Sequence, residues 1–279
     1  MMRNKTSPMK GWIGLAIALL LVMFAIFLTV KNFSGRTAKP DIIPSSSTSL
    51  DAKSLSDATR LAAVEREALK QRFTPLLEVN PETVAYIYAP GTMLDEPVVQ
   101  TGDNATYLDK TFDGGYEPYM GTVFMDTDNR KDFTDRLTWL FGHARGSAVP
   151  DHRMFNDVNF YDKQDYFDQH KYLVVETPER KLYYEAVGLV IVPEETAFYR
   201  TTFADDEDFL TQLRNIYAIA QTKNPNIEIK ASDRYLVLST CREEDETIRS
   251  NLYMRQISEQ ELGSFLATHG ADLEYVATR

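Results

Sequence analysis

Beyond Pro75 the chain breaks into eight short apolar runs separated by turns, and this spacing constrains the fold more than any other feature. The runs are Thr83–Tyr88, Pro97–Gln100, Gly121–Asp126, Leu137–Gly142, Tyr172–Glu176, Lys181–Val192, Arg234–Thr240 and Leu252–Ile257. Eight strand-type runs at this density predict a β-barrel or a sandwich. One helical segment interrupts them between the sixth and seventh runs. Leu210, Leu213, Tyr217 and Ala220 keep helical spacing there, and Asp205, Asp206, Glu207 and Asp208 stand where a helix N-terminus favours anions. A second helix is expected over Asp51–Phe73, with Leu55, Ala58, Ala62, Leu69 and Phe73 on one stripe. The expected class is mostly β with helical decoration, without an internal repeat.

A different kind of segment precedes this body. Gly11 to Val30 is a run of 20 residues without a charge. At about 1.5 Å per residue such a helix spans a hydrocarbon core of ~30 Å. A cleaved signal peptide has a shorter apolar region, about 7–15 residues, so an uncleaved signal-anchor is the expectation. Six of the 30 basic residues and none of the 41 acidic ones fall in 1–39. Residues 40–279 therefore hold 24 basic against 41 acidic side chains, a charge of −17. Arg3, Lys5 and Lys10 before the span bias the N-terminus to the cytoplasm. The expected organisation is a cytoplasmic tail over 1–10, a transmembrane anchor over 11–30, a linker over 31–50 and an extracellular domain over 51–279. Pro40, Pro44 and the run Ser45–Ser49, with Thr48 inside it, mark the linker. The acidic balance excludes nucleic acid as the expected partner, since phosphate binding needs a basic surface.

The chain has one cysteine, which excludes an internal disulfide and a Cys-rich zinc site. Cys241 follows the apolar run Tyr235-Leu236-Val237-Leu238 and precedes a charged stretch. Its competing readings are a small buried hydrophobe and a reactive thiol at the end of a strand. His143 has a parallel setting, in the loop after Leu137-Thr138-Trp139-Leu140-Phe141. If the two strands are parallel neighbours, both side chains meet at one rim of the sheet. His152, His170 and His269 lie in polar settings and read as solvated residues. A Cys/His pair suits acyl transfer, in which the thiolate attacks, the imidazole protonates the leaving amine and a guanidinium stabilises the oxyanion. Arg242, Arg249 and Arg255 all follow the cysteine. Arg249 is the geometric choice if 249–257 runs back beside 234–240, and Arg255 remains the alternative.

At these residues the sequence resembles the class B sortases, membrane-anchored cysteine transpeptidases of Gram-positive bacterial surfaces. Leu238-Ser239-Thr240-Cys241 is similar to the family's nucleophile motif, Phe141-Gly142-His143 to its Tyr-Gly-His, and Arg249 holds the spacing of its arginine. The stretches Asn80–Ile87, Pro97–Gln100, Tyr107–Gly114 and Gly121–Asp126 extend the likeness, as do Met154-Phe155, Tyr161, Tyr166-Phe167 and His170. Val237 stands in place of the usual first threonine, Phe141 in place of tyrosine, and Ala144 where many members have a second histidine.

The resemblance implies an eight-stranded sortase-type β-barrel with an N-terminal helix and a helix between strands six and seven. It implies Cys241 as nucleophile, His143 as proton donor and Arg249 as oxyanion stabiliser, with Ser239 and Thr240 lining the substrate site and no cofactor or metal. The implied substrates are surface proteins or pilins bearing a C-terminal sorting signal, cleaved through a thioester. The implied acceptor is an amine of a peptidoglycan precursor or a pilin lysine. A thiol hydrolase of the same fold and an inactive anchored binding module are the competing expectations.

Overall fold

The computed structural model describes residues 47–144, 152–196, 198–242 and 245–279, with side chains from residue 60 onward apart from that of Leu61. The expected anchor over 11–30, with the tail over 1–10 and most of the linker, lies outside the described residues. Among the described residues no helix is long and apolar enough to cross a membrane. Contacts divide the chain after Ser56, and the second unit, Asp57–Arg279, carries the sheet.

The first element is a long helix, α1 (Ser47–Val79), which runs beyond both expected ends and through Pro75. It closes with the Asn80 N–H on the Leu76 carbonyl at 2.8 Å. Of the expected stripe, Leu69 and Phe73 are buried, at 2% and 1% exposure. Ala62 is exposed.

Nine strands follow: β1 (Thr83–Tyr88), β2 (Asp95–Val99), β3 (Val123–Met125), β4 (Leu137–Phe141), β5 (Tyr172–Glu176), β6 (Lys181–Pro193), β7 (Thr222–Lys223), β8 (Tyr235–Arg242) and β9 (Asp245–Gln256). Their order is β5-β1-β2-β3-β4-β8-β9-β6, and β6 pairs back onto β5, so eight strands close a barrel. Closure leaves no open edge along these eight. The two-residue β7 adds to β6 at Gly188 and Leu189, above the stretch that pairs with β5. Two neighbours run parallel, β2 with β3 and β4 with β8, and the other pairs are antiparallel.

Alternation along the strands builds two cores. Leu140, Leu236, Leu238, Leu252 and Met254 fill the barrel interior. The opposite faces of the same strands carry Trp139, Tyr235, Val237 and Tyr253, which pack with Phe209, Leu213 and Ile216. Those three residues come from the helix between β6 and β7, α3 (Asp206–Ile219) in the numbering here, where α2 is the short Gln164–Gln169. Asp205 caps α3 by accepting from the Asp208 N–H at 2.9 Å. The helix thus stands where the sequence placed it. A last helix, α4 (Glu259–His269), closes the chain after β9.

One glycine fixes a loop that matters below. Gly121 has φ +57°, and a Cβ there would lie 2.2 Å from the Tyr107 carbonyl oxygen and 2.4 Å from that of Leu108. No L side chain fits without moving both carbonyls. Gly121→Ala is expected to cost at least ~2 kcal/mol, from left-handed backbone strain plus the displaced turn. Thermal unfolding of the variant checks this; an unchanged Tm would contradict it.

Candidate active site

The parallel pairing of β4 and β8 is what brings the first two candidates together. Leu137 pairs with Tyr235 and Phe141 with Ser239, so both strands end at the same rim. The Gly142 N–H extends the ladder to the Ser239 carbonyl at 3.2 Å. His143 and Cys241 then emerge two residues beyond the Phe141–Ser239 pair.

The third candidate comes from the antiparallel neighbour. Cys241 on β8 lies directly opposite Arg249 on β9. Directly paired residues on antiparallel strands share a face, with Cβ atoms about 4.5–5.5 Å apart. Arg255 is excluded from this place. It sits six residues along the strand, opposite Tyr235, and its guanidinium pairs with Glu185, Asp233 and Glu261. Arg242 turns away to Asp162 at 3.3 Å.

The residues meet in one cavity of about 390 Å³, lined by His143, Cys241, Arg249, Ser239 and Thr240. Its apolar wall is Leu108, Phe124, Trp139, Phe141 and Tyr199. The Phe124 and Phe141 rings lie 5.4 Å apart and the Trp139 and Tyr199 rings 5.3 Å apart. The Tyr199 hydroxyl donates to the buried Asp126 at 2.5 Å, which holds the loop after β6 against the barrel. Ser239 shares the Cys241 face by alternation. Thr240 alternates to the other face, and its Oγ1 is buried with no hydrogen-bond partner among the described residues.

The local chemistry is asymmetric. Nε2 of His143 lies 2.8 Å from the Leu108 carbonyl oxygen, which accepts only, so Nε2 carries the proton. Asn159 donates from Nδ2 to the Cys241 carbonyl at 3.1 Å and steadies the nucleophile's backbone. Arg249 donates from Nη1 to the Glu246 carbonyl at 2.6 Å and pairs through Nη2 with Glu194 at 2.7 Å. Burial pushes the half-buried Cys241 thiol above its ordinary value, Arg249 pulls it down, and the carboxylates of Glu194 and Glu246 push it up. The net direction is upward.

The remaining histidines sit elsewhere. His152 faces Asp157 at 3.3 Å, the His170 ring lies tilted against that of Tyr166 with centres 4.3 Å apart, and His269 bonds the Tyr172 hydroxyl at 3.2 Å. Glu194, Tyr199, Asn159 and the Leu108 carbonyl were not legible as site groups, because only the tertiary fold brings them to β8. Among the described residues no group of three or more His, Cys, Asp or Glu could hold a metal ion.

No protein-family model matches the chain. Among curated proteins it is similar to Sortase B of Staphylococcus aureus, 27% identical over 186 residues, which covers 66% of this chain and 72% of the relative. It is also similar to Sortase B of Listeria monocytogenes, 26% identical over 175 residues, covering 62% of this chain and 68% of the relative. Its fold matches the crystal structure of Staphylococcus aureus Sortase B with a TM-score of 0.63 at 24% identity. That match covers 75% of this chain and 98% of the other.

Proposed function

We propose, on the premise that the chain is a cysteine transpeptidase of the class B sortase type, that it cleaves a C-terminal sorting signal and transfers the acyl part to an amine. One observation carries the reading: Cys241 and Arg249 form an in-register pair beside the His143 loop, and all three border one cavity.

In the proposed course, the Cys241 thiol passes its proton to His143 and its sulfur attacks a backbone carbonyl carbon of the sorting signal. The N–H donors of Arg249 stabilise the oxyanion that forms. His143 gives a proton to the departing amine as the C–N bond breaks, leaving a thioester on Cys241. The acceptor amine then attacks the thioester carbon, passes a proton to His143 and expels the sulfur. Ser239 lines the substrate path on the Cys241 face, and Thr240 borders the cavity without turning its hydroxyl into it. No cofactor enters any step.

The apolar wall favours transfer over hydrolysis, because a thioester held against Trp139, Phe141 and Tyr199 is shielded from water. A complex of Staphylococcus aureus sortase B with substrate and a sortase B complexed with triglycine have been solved, and both share this fold. The proposed partners of this chain are accordingly secreted proteins or pilins with a sorting signal, and an amine from a peptidoglycan precursor or a pilin lysine. The proposed setting is the outer face of the cell membrane, with 11–30 as anchor, 1–10 inside, 31–50 as linker and 51–279 outside. Near the anchor, secreted substrates and lipid-linked acceptors are both concentrated.

The test is mass spectrometry after incubation with a panel of sorting-signal peptides, with and without triglycine as amine. The expected result is an acyl adduct on Cys241 and a ligated product only when triglycine is present. Hydrolysed peptide alone, whatever the amine, would make the chain a thiol hydrolase. No adduct with any peptide would leave a binding module.

A further inference from the structure

The contact at the cavity that the mechanism leaves unused is the ion pair between Arg249 and Glu194. At the end of β6, Val192 is paired with Arg249 and Pro193 with Ile248. The chain then leaves the sheet in a single 3-10 turn, Glu194–Thr196, which sets the Glu194 carboxylate beside the guanidinium. Glu194 Oε1 lies 2.7 Å from Nη2 of Arg249, and both residues border the cavity.

This contact differs from an ordinary surface pair. The Arg249 side chain is only 19% exposed whereas that of Glu194 is 61% exposed. The buried partner therefore depends on the exposed one, and the pair sits against the nucleophile. A guanidinium has five N–H donors in a rigid planar fork. One goes to the Glu246 carbonyl and one to Glu194, which fixes the plane from two sides. Among the described residues these are its two acceptors, which leaves donors for a carbonyl bound over Cys241.

We propose that Glu194 is the positioning residue for Arg249, holding its guanidinium beside Cys241 so that the remaining donors face the acyl carbonyl. This rests on the transpeptidase reading above. The charge arrangement adds a second effect. Among the described residues, the groups facing Cys241 are Arg249 and Glu246 from β9, Glu194 from the end of β6 and His143 after β4, while Arg242 is paired with Asp162. The Glu194 carboxylate offsets the guanidinium and holds the thiol up. Removing it should therefore move two observables in opposite senses: slower acyl transfer, yet easier ionisation of the thiol.

The experiment measures transpeptidation and the pH profile of Cys241 alkylation by iodoacetamide in the full chain. Glu194→Ala is expected to lower kcat about tenfold, with KM within about twofold, because orientation is lost and ground-state binding is not. Its alkylation midpoint is expected at lower pH. Glu194→Gln keeps an acceptor for Nη2, so it should hold kcat within about threefold while sharing the lower midpoint. In an Arg249→Ala background, Glu194→Ala should cost nothing further in kcat, as expected of a residue acting through Arg249. An undiminished kcat in Glu194→Ala, a full additional loss in the double variant, or an unmoved midpoint would overturn the proposal. Absence of transfer by the wild-type chain would sink the transpeptidase reading instead, and the alkylation midpoint, which needs no peptide, would still decide the coupling.

Discussion

Cys241→Ala is expected to abolish the acyl adduct and the ligated product while leaving the fold intact. The chain has no second cysteine to substitute for it. What remains in the variant is the Arg249 fork, the His143 ring and the apolar wall, which can bind and polarise a carbonyl without attacking it. The loss of turnover should be on the order of 10⁶-fold, comparable to removing the nucleophile of a serine hydrolase. Stability should change by only about 0.5 kcal/mol, because the thiol sits half-buried at the barrel rim, where its loss leaves no sheet hydrogen bond broken. Mass spectrometry and a thermal melt read the two halves. Residual ligation in the variant would mean that another group attacks the peptide, and a large fall in Tm would mean that the thiol is a packing residue.

The second large effect separates two arginines of one strand. Arg249→Ala is expected to cost roughly 10²–10³ in kcat, the range for losing one oxyanion donor, with little change in Tm. Arg255→Ala should do the reverse. Its side chain is 11% exposed and pairs with Glu185, Asp233 and Glu261. Removal leaves three carboxylates facing one another, at a cost of about 3 kcal/mol once the half-exposed Glu261 is discounted. The pH signature is specific. Hydrogen bonding to Arg255 holds the Glu261 carboxyl down to about 2, against an ordinary 4.5. A depressed carboxyl contributes stability that is complete above about pH 4.5 and is lost as pH falls through 2. The wild type should therefore lose part of its stability over that acidic window, and Arg255→Ala should lack that part. Denaturant titrations between about pH 2 and pH 7 check it. If Arg249→Ala instead lost stability and kept its turnover, the assignment of the two arginines would be reversed.

Much of the barrel was legible because its strands obey a hydrophobic pattern between turns. The runs Thr83–Tyr88 and Tyr172–Glu176 coincide with β1 and β5 to the residue, bounded by Asn80-Pro81 on one side and Thr177-Pro178 on the other. The largest boundary error is β9, expected from Leu252 and beginning at Asp245. Its opening residues, Asp245-Glu246-Thr247, are exposed and polar, so no buried face announces them. That stretch matters for the site, because it puts Arg249 inside a strand opposite Cys241 rather than at a strand's first residue. The helix α4 went unread as well, although Ser258 and Glu261 form a capping box three residues apart, a signal the sequence does carry. The cysteine, the histidine and the arginine stood out by residue type and spacing. Glu194 did not, since a glutamate after a proline has no distinguishing pattern until β6 and β9 pair.

The parallel β4–β8 ladder has a consequence for how such a site can change. β4 turns Leu137 and Trp139 outward and Leu140 inward, and β8 turns Tyr235 and Val237 outward and Leu236 and Leu238 inward, so a slip of one position would turn Trp139 into the interior and Leu140 out of it. Every sequence that keeps the barrel packed therefore also keeps His143 level with Cys241. The alignment of the proposed reactive groups is inherited from folding rather than maintained separately. The loops that border the cavity are released from that duty, so they can be remodelled for a new peptide without endangering the chemistry they surround.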